Sequence, residues 1–248
     1  MPPKPDRNAA RASRHGVARV ISKLGLASRT QAATWVRDGR VRVNARVVRD
    51  PEFPTRQGHD LIEIDGRPCV AAERRVLMLN KPRGLVTTAQ DEQGRATVYE
   101  CFAGSALPWL APIGRLDKAS EGLLLFSNDP VWAARITDPD SGPAKTYHVQ
   151  INRLADAKLL LALEQGVMSQ GERLKASSAR TLRDGDKNAW LAIVLEEGRN
   201  RQIRRLLEAL DVSVLRLVRV AIGSLLLGEL AKGQWRMLTA EEISALQA

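Results

Sequence analysis

Cysteine and histidine are scarce in this chain. Two cysteines, Cys69 and Cys101, and three histidines, His15, His59 and His148, occur among 248 residues. The cysteines lack the spacing of metal ligands, and a single pair does not make a disulfide framework. The histidines are scattered along the chain. The sequence therefore argues against a zinc site and favours reduced thiols of the kind found in the cytoplasm.

Long apolar runs are also missing. No run approaches the length of about 20 residues that spans a membrane, and no apolar segment near Met1 resembles a secretion signal. The hydrophobic fraction is 44% and the charged fraction 27%, which is ordinary for a soluble globular protein. The length allows one sizeable core and a small second domain.

Several common catalytic motifs are absent. The chain has no phosphate-cradling loop and no dinucleotide fingerprint, and its few histidines form no convincing Ser-His-Asp arrangement. Asp117 and Glu121 could suggest the carboxylate pair of a glycoside hydrolase. In a turn that leads into a strand, however, this spacing does not put them on a common face. We therefore interpret Glu121 as making a local structural contact.

Acidic residues are nearly missing from the first fifth of the chain. Residues 1–49 hold 12 lysines and arginines against Asp6 and Asp38, a net charge of +10, whereas the remainder is balanced. A segregated basic segment indicates a polyanionic partner, either nucleic acid or an acidic membrane face. Residues 1–15 show no apolar periodicity and are predicted to form a disordered basic tail rather than a transit peptide.

Two short helices and a hairpin are predicted after this tail. Apolar residues at helical spacing predict a helix from Val17 to Leu24, and a capping box at Ser28 predicts a second helix that stops at Gly39. Residues 40–49 alternate in polarity up to a break at Asn44-Ala45, which predicts a hairpin with one basic face. Five arginines here could track the phosphates of a polyanionic partner: Arg29, Arg37, Arg40, Arg42 and Arg46.

The stretch from Gly114 to Asp129 organises the rest of the chain. Its charged segment precedes an apolar run, Leu123 to Phe126, which is typical of a buried strand. Asp117 is therefore predicted to lie in a turn at the mouth of a sheet, where a scaffold commonly presents a reactive side chain. Arg115 is close enough to keep this carboxylate ionised, although an isolated Arg-x-Asp is more often a surface ion pair.

The phrase Gly-Arg-Leu-Asp-Lys-Ala-Ser-Glu-Gly from Gly114 resembles the signature of pseudouridine synthases of the RsuA-like ribosomal RNA family. Three further phrases fit the family in order: Leu-Asn-Lys-Pro-Arg-Gly at residues 79–84, Lys-x-Tyr at Lys145, and the arginine-rich segment at residues 199–208. Residues 26–48 resemble the small RNA-binding domain first described in ribosomal protein S-four, except that Ala45 stands where glycine is usual. The resemblance covers residues 17–248.

The fold implied by the resemblance is α+β. A small N-terminal αα-hairpin RNA-binding domain, residues 16–72, is expected to precede a pseudouridine synthase domain, residues 76–248. The second domain is expected to hold a central mixed, mostly antiparallel sheet flanked by helices. Within it, a strand at residues 76–79 is predicted to turn into a second strand near residues 85–88, and a helix is predicted to begin after Gly198 with Asn200 as its cap.

The resemblance also implies roles for particular residues. Asp117 is the nucleophile, Arg204 pairs with it, Tyr147 stacks on the base or moves a proton, and Leu217 closes the pocket. Four residues are expected to bind substrate: Arg115, Asn80, Lys81 and Arg201. For Asn80 and Lys81 the alternatives are contact with the RNA backbone, shaping of the pocket, or merely capping a turn.

The implied activity is isomerisation of a uridine in ribosomal RNA to pseudouridine. The Ser-Glu-Gly variant of the signature favours the large subunit. The reaction has no redox step and needs no cofactor, and the uridine must leave its stack. Attack on the sugar, attack on the base and elimination at the sugar stay open as routes. The rival hypothesis is a non-catalytic RNA-binding factor of ribosome assembly. The expected partner is ribosomal RNA or an assembly intermediate, without a membrane, for a cytoplasmic monomer.

Overall fold

The computed structural model describes residues 14–89 and 91–246. The chain divides into two units. The first comprises the chain up to Arg75 together with residues 107–111 and 128–130, and the second comprises the remainder. The predicted tail lies outside the described residues except for its last two positions. His15 belongs to a short strand and is therefore not part of a disordered segment.

The first unit contains two helices, α1 (Val17–Lys23) and α2 (Arg29–Arg37). Its six short strands are β1 (His15–Gly16), β2 (Val41–Val43), β3 (Arg46–Val47), β4 (Pro54–Thr55), β5 (Ile62–Ile64) and β6 (Arg67–Pro68). Strands β3-β2-β5-β6 form one sheet, and β1 pairs with β4. The Ser28 hydroxyl caps α2 by accepting a hydrogen bond from the Gln31 amide. The buried faces of both helices pack on the sheet in one apolar cluster, which includes Val17 and Val41.

The β2–β3 hairpin does not have the single basic face predicted from its alternation. Val43 lies directly opposite Arg46, and Arg42 lies opposite Val47. Directly opposed residues present their side chains on the same face, so Arg42 and Arg46 are on opposite faces. Because the turn has two residues, the arginines on the two sides of it fall on opposite faces of the hairpin. The alternation of polarity along the chain does not show this. Arg46 remains exposed because it lies at the tip of the hairpin.

The second unit is built on one large sheet. Its strands are β7 (Val76–Lys81), β8 (Ala111–Ile113), β9 (Glu121–Ser127), β10 (Lys145–Ile151), β13 (Ser178–Asp184), β14 (Ala189–Leu195), β15 (Val214–Ile222), β16 (Leu225–Leu226) and β17 (Trp235–Met237). The main path is β13-β14-β10-β15-β9-β7-β17. Strands β9 and β15 are parallel, whereas β10 pairs antiparallel with both β14 and β15, and β7 with both β9 and β17. The predicted mixed, mostly antiparallel sheet is confirmed.

Helices and a small hairpin flank this sheet. They are α3 (Pro130–Thr137), α4 (Ala157–Gln165), α5 (Gln202–Glu208) and α6 (Ala240–Ala245), with a 3-10 helix (Val98–Phe102) and the hairpin strands β11 (Val167–Ser169) and β12 (Glu172–Leu174). Trp132 and Ile136 of α3 pack on Leu123 and Leu125 of β9. Among the described residues, none of the helices has the length and apolar character needed to cross a membrane.

Two local predictions in this unit are wrong. Residues 85–88 do not form a strand and make only an isolated bridge from Val86 to Thr97. Helix α5 begins at Gln202 with Arg201, not Asn200, at its N-cap, and Arg201 has a left-handed φ of 50°. The amide of Arg199 instead bonds the side chain of Gln202, so the loop turns one residue later than an Asn200 cap would require.

Candidate active site

Asp117 lies in the short loop that leads into β9, as predicted. Backbone contacts hold this loop from both sides of the residue. The Thr87 hydroxyl donates to the Leu116 carbonyl at 2.7 Å, and the Gly84 amide donates to the Lys118 carbonyl at 2.8 Å. The Ser120 amide closes a turn onto the Asp117 carbonyl at 2.9 Å. The Asp117 carboxylate is thus presented from a fixed backbone while its side chain stays 35% exposed.

Lys81 supports the same loop from inside the protein. Its side chain is fully buried, and its ammonium donates to the carbonyl oxygens of Ser120 at 2.8 Å, Pro82 at 3.0 Å and Asp117 at 3.3 Å. Burial lowers the pKa of Lys81 to about 8 against the opposing influence of the Asp117 charge. Lys81 is therefore placed to shape the loop and is not accessible to an RNA backbone.

Asn80 is likewise turned away from the site. Its side-chain amide donates to the Leu230 carbonyl at 2.7 Å, and its backbone pairs with the segment around Gly233 and Gln234. The expectation that Asn80 and Lys81 bind substrate directly is therefore wrong. Of the alternatives read from the sequence, a structural role at the turn fits the contacts. The sequence did not reveal this role, because the burial of both side chains depends on tertiary packing.

Two arginines from the α5 segment converge on Asp117. The Arg201 guanidinium donates to Asp117 Oδ2 at 3.4 Å, and Arg204 Nε lies 4.0 Å from the same oxygen. Arg204 is mostly buried and also donates to the Ala119 carbonyl at 3.3 Å. Burial and the neighbouring Arg201 lower the pKa of Arg204, whereas Asp117 opposes this change. Among the described residues the ion pairs of Asp117 come from these two arginines and not from Arg115.

The arginine cluster at α5 is compensated by carboxylates. Cations near a helix N-terminus oppose the helix dipole, and the sequence therefore indicated anionic partners. Arg199 pairs with Glu197 and Arg205 with Glu172, each at 2.8 Å, while the two remaining arginines face Asp117. The α5 segment thus places two cations beside Asp117, which is far away in the sequence.

A cavity of about 520 Å³ opens beside Asp117. Six residues predicted for the site line it: Arg115, Asp117, Tyr147, Arg201, Arg204 and Leu217. Tyr147 on β10 and Leu217 on β15 are 9% and 5% exposed, and they form an aromatic and an aliphatic part of the wall. The volume of the cavity lies in the range that is usual for small-molecule sites. The Asp117 carboxylate, the arginines and the apolar wall all line this cavity.

Gly122 lets the two halves of the sheet approach at this site. It has a φ of +100°, and a Cβ atom placed on it would lie 2.2 Å from the carbonyl oxygen of Arg219. Only glycine tolerates both the backbone conformation and the contact. The parallel β9–β15 pair, which joins the Asp117 loop to the strand that carries Leu217, therefore depends on this residue.

Glu121 has a structural role, as predicted, but its partners are remote in the sequence and not local. Its buried carboxylate bonds Arg216 at 2.8 Å and Lys232 at 2.6 Å. Burial alone would raise the pKa of Glu121, but the bonds to these two cations lower it to about 2. Arg216 in turn lies over the ring of Trp190. Glu121 thus fixes the start of β9 without facing the cavity.

Lys145 and Arg219 also line the cavity, and sequence reasoning assigned neither to the site. Both are buried. The Arg219 Nε atom donates to the Leu123 carbonyl at 2.7 Å. The Lys-x-Tyr phrase could have drawn attention to Lys145, whereas nothing in the local pattern distinguishes Arg219 from the other arginines of an alternating strand.

The five candidate RNA-binding arginines all lie in the first unit and are exposed. Arg29 pairs with Glu52, and Arg40 pairs with Asp65 and lies over the ring of Trp35. Within the described part of the chain, Arg37, Arg42 and Arg46 have no ion pair. Exposed ion pairs contribute only about 0–1 kcal/mol, so an RNA phosphate could replace the partners of the first two.

Comparisons with known proteins agree with this architecture. The RNA pseudouridylate synthase family matches residues 75–209, and the S4 domain matches residues 17–62. The chain therefore belongs to the RNA pseudouridylate synthase family and carries an S4 domain in its N-terminal part. This confirms the family, the isomerase class and RNA as partner, as read from the sequence.

Particular relatives cover nearly the whole chain. An uncharacterized RNA pseudouridine synthase of Aquifex aeolicus is 36% identical over 91% of this chain and 91% of its own length. The ribosomal large subunit pseudouridine synthase B of Bacillus subtilis is 35% identical over 93% of this chain and 94% of its own. A solved pseudouridylate synthase structure superposes with a TM-score of 0.65 at 32% identity, covering 94% of this chain and 99% of that one.

Proposed function

We propose that this enzyme converts a specific uridine of ribosomal RNA, in the large subunit, to pseudouridine, with Asp117 as nucleophile. The similarity to the Bacillus subtilis large-subunit enzyme supports the choice of RNA. The observation that carries the assignment of Asp117 is its position at the cavity mouth, against Arg201 and Arg204. An enzyme of ribosomal RNA would work in the cytoplasm, and we propose that it acts there as a monomer.

The cavity residues divide the work of the reaction. The target uridine leaves its stack and enters the cavity, as enzymes that modify bases require. Arg201 and Arg204 orient the Asp117 carboxylate toward the nucleotide, and Leu217 fills the space beside the base. Tyr147 stacks on the base or moves a proton. Because the carboxylate can act on the sugar, on the base or by elimination, the role of Asp117 is common to all three routes.

The arginines of the S4 domain supply affinity rather than chemistry. Phosphate contacts position an RNA without reading its sequence. We propose that Arg29, Arg37, Arg40, Arg42 and Arg46 make such contacts, with Arg42 and Arg46 reaching them from opposite faces of the hairpin tip. A non-catalytic assembly factor would need these arginines but not the Asp117 cavity, and the cavity therefore favours the enzyme.

The substitution Asp117→Asn tests the nucleophile. The amide keeps the shape of the side chain but is a far weaker nucleophile, so we expect no detectable turnover. Because the Asp117 side chain is partly exposed and its ion pairs are long, we expect unchanged thermal stability and RNA affinity. The measurement is a pseudouridine map of both ribosomal RNAs in cells that lack the gene, rescued with wild type or with the variant.

One site lost in the deletion and restored only by wild type would identify the substrate as well as the residue. Asp129→Asn, outside the cavity lining, is the matched control and should restore the site. Restoration by Asp117→Asn would refute the nucleophile assignment. A map without any change would refute the ribosomal target.

A further inference from the structure

The candidate cavity holds two buried cations that the proposed reaction does not use. Lys145 is the first residue of β10 and is 9% exposed, and Arg219 on β15 is 5% exposed. Both line the same cavity as Asp117 and Tyr147. Their strands are hydrogen-bonded neighbours, and Arg219 lies directly opposite Tyr147. The two cations therefore belong to the region where an inserted base would lie.

These cations lack the partners that buried charges normally have. Arg219 Nη2 is buried without a hydrogen-bond partner in the part of the chain that the structure describes. The Lys145 ammonium makes no hydrogen bond or ion pair with any residue in ranges 14–89 and 91–246. Burial, and then the nearby charge of Arg219, lower the pKa of Lys145. Buried polar groups are satisfied in most native structures, so Arg219 Nη2, like Arg204 Nε in the same cavity lining, indicates a missing hydrogen-bond acceptor, and Lys145 adds a second cation beside it.

The carboxylates of the cavity do not supply this partner. Asp117 faces Arg201 and Arg204. Glu197 bonds Arg199 and the side chain of Gln202. Asp140 is exposed and forms no ion pair with Lys145 among the described residues. An excess of positive charge therefore remains in the cavity. Such an unfavourable arrangement of like charges is retained chiefly where function requires it.

We propose that Lys145 and Arg219 bind the carbonyl oxygens of the target uracil and stabilise the negative charge that the base acquires when it separates from the ribose. This inference rests on the proposed function and adds two catalytic residues to it. An RNA phosphate would offer similar anionic oxygens. The position of both cations inside the cavity, beside the tyrosine wall, favours the base.

The chemistry balances with the groups present. When the bond between C1′ and N1 breaks, its electron pair stays with the base, and the charge is shared among N1, O2 and O4. Donors already aimed at such oxygens stabilise this charge without rearrangement. When Asp117 attacks the sugar, its carboxylate bonds C1′ as N1 leaves. The base then rotates, and its C5 forms the new bond to C1′ with an electron pair of the base and displaces the carboxylate. C5 finally loses its proton and N1 takes one up, so that the product is an isomer of uridine. Lys145 and Arg219 donate hydrogen bonds throughout and consume no co-reactant.

The first test is Lys145→Met, which keeps the length of the side chain and removes its charge. We expect the single-turnover rate on saturating ribosomal RNA substrate to fall about 100-fold, the usual effect of losing one preorganised donor, with unchanged RNA affinity. The melting temperature should stay equal or rise, because an unpaired buried cation has been removed. Lys145→Arg should retain most of the rate, and Lys158→Met, at an exposed position of α4, should behave as wild type.

Two other outcomes would overturn the inference. If Lys145 held a phosphate, Lys145→Met would weaken RNA binding, reduce the salt dependence of binding by about one unit of slope and leave the saturated rate unchanged. If Lys145 served only the fold, Lys145→Met would lower the melting temperature, and any loss of rate would not be rescued by Lys145→Arg.

A second measurement does not depend on turnover. 5-Nitrouracil is an anion at neutral to mildly alkaline pH, where uracil is neutral, and both bind the free protein in a calorimetric titration if the cavity accepts them. We expect at least tenfold tighter binding of the anion by wild type and loss of this preference in Lys145→Met. Turnover without the preference would refute the inference alone. The preference without turnover on ribosomal RNA would refute the proposed function alone.

Discussion

Lys81 illustrates how a single residue can serve a site that it never touches directly. Its ammonium holds three carbonyl oxygens of two neighbouring loops, including that of Asp117. A buried cation bonded only by neutral carbonyls is costly to keep charged. The Lys81 ammonium thus fixes the geometry of the Asp117 loop, while its burial lowers the stability of the folded protein near neutral pH.

The pH dependence of stability should report this cost. The pKa of Lys81 is lowered from its ordinary 10.5 to about 8 in the folded protein, so between these values the unfolded chain binds more protons at this residue. Stability linked to Lys81 should therefore rise with pH from about 8 to 10.5 and be constant below that range. We expect urea unfolding to show this rise as the difference between wild type and Lys81→Met.

The exposed Lys158 provides the matched comparison. The stability difference between wild type and Lys158→Met should be flat over the same pH range, because Lys158 is exposed on α4 and is not surrounded by buried carbonyl groups. A flat difference for Lys81→Met as well would show that the buried ammonium does not titrate as its surroundings indicate.

Residues whose roles depend on local pattern were predictable, and those that depend on packing were not. The position of Asp117 in a loop before β9 was predictable because a charged segment before an apolar run is visible in the sequence, whereas the role proposed for it came from the resemblance to the family signature. Lys81 was misassigned, since its burial arises from a loop 36 residues away. Arg219 escaped notice because its missing partner is a property of the folded cavity. Asn200 was chosen as a helix cap from residue type alone, whereas the backbone placed Arg201 there.

At the scale of elements, the register between strands decides what the site contains. The parallel contact of β9 with β15 is possible only because Gly122 has no side chain. This one backbone approach sets the positions of Asp117, just before β9, and of Leu217 and Arg219 on β15.

Gly122→Ala should therefore disrupt folding as well as activity. The added methyl would meet the Arg219 carbonyl, and φ of +100° is unfavourable for alanine, so we expect a loss of at least about 3 kcal/mol of unfolding free energy. Gly104→Ala separates the two causes, because Gly104 has a φ of +76° with open space around it. That control should cost only about 1–2 kcal/mol, measured by thermal or urea unfolding. Equal losses at both positions would contradict the role of the close approach.

In the β2–β3 hairpin, by contrast, a substitution to glycine should raise the stability of the protein. Asn44 and Ala45 have φ angles of 51° and 64°, which is the geometry of a turn that prefers Asn-Gly. Ala45→Gly should relieve the strained alanine and stabilise the protein by about 0.5–1 kcal/mol. Ala33→Gly, inside α2, should destabilise it by about 1 kcal/mol. Unfolding in urea measures both, and a loss of stability in Ala45→Gly would show that the alanine is not strained.

Element types were largely predictable, and their spatial relations were not. The strands that contain residues 76–79 and 123–126 were visible from short apolar runs, because the length of such a run is a local property. The opposite facing of Arg42 and Arg46 depends on turn length. The parallel pairing of β9 with β15 depends on chain crossings that no local pattern encodes.

At the scale of the whole molecule, the excess positive charge and the candidate site lie in different parts of the chain. The excess positive charge of the sequence lies in residues 1–49, whereas Asp117 and its cavity lie in the second unit. Removing charge from the first unit should therefore weaken RNA binding without slowing the chemical step.

The triple change Arg37→Gln, Arg42→Gln and Arg46→Gln tests this separation. These arginines have no ion pair among the described residues, so their loss should not destabilise the fold. If each contacts one phosphate, the slope of log affinity against log salt should fall by about 2–3 in magnitude, with an unchanged single-turnover rate at saturating RNA. Filter binding at several salt concentrations measures the slope.

A triple change elsewhere controls for net charge. Arg153, Lys158 and Lys187 are exposed positions of the second unit outside the cavity lining. Replacing them with glutamine removes the same charge and should leave the slope nearly unchanged. An equal fall in both variants would mean that RNA senses only the overall charge.

The β9–β15 pairing also has a consequence in time. It joins Glu121 to Val218, almost 100 positions apart along the chain, and closing so long a loop carries an entropic cost before any contact compensates it. During synthesis, the cavity cannot exist until β15 has left the ribosome. Asp117 is therefore made early and its surroundings late, and an unfinished chain passes through most of its synthesis without a completed cavity.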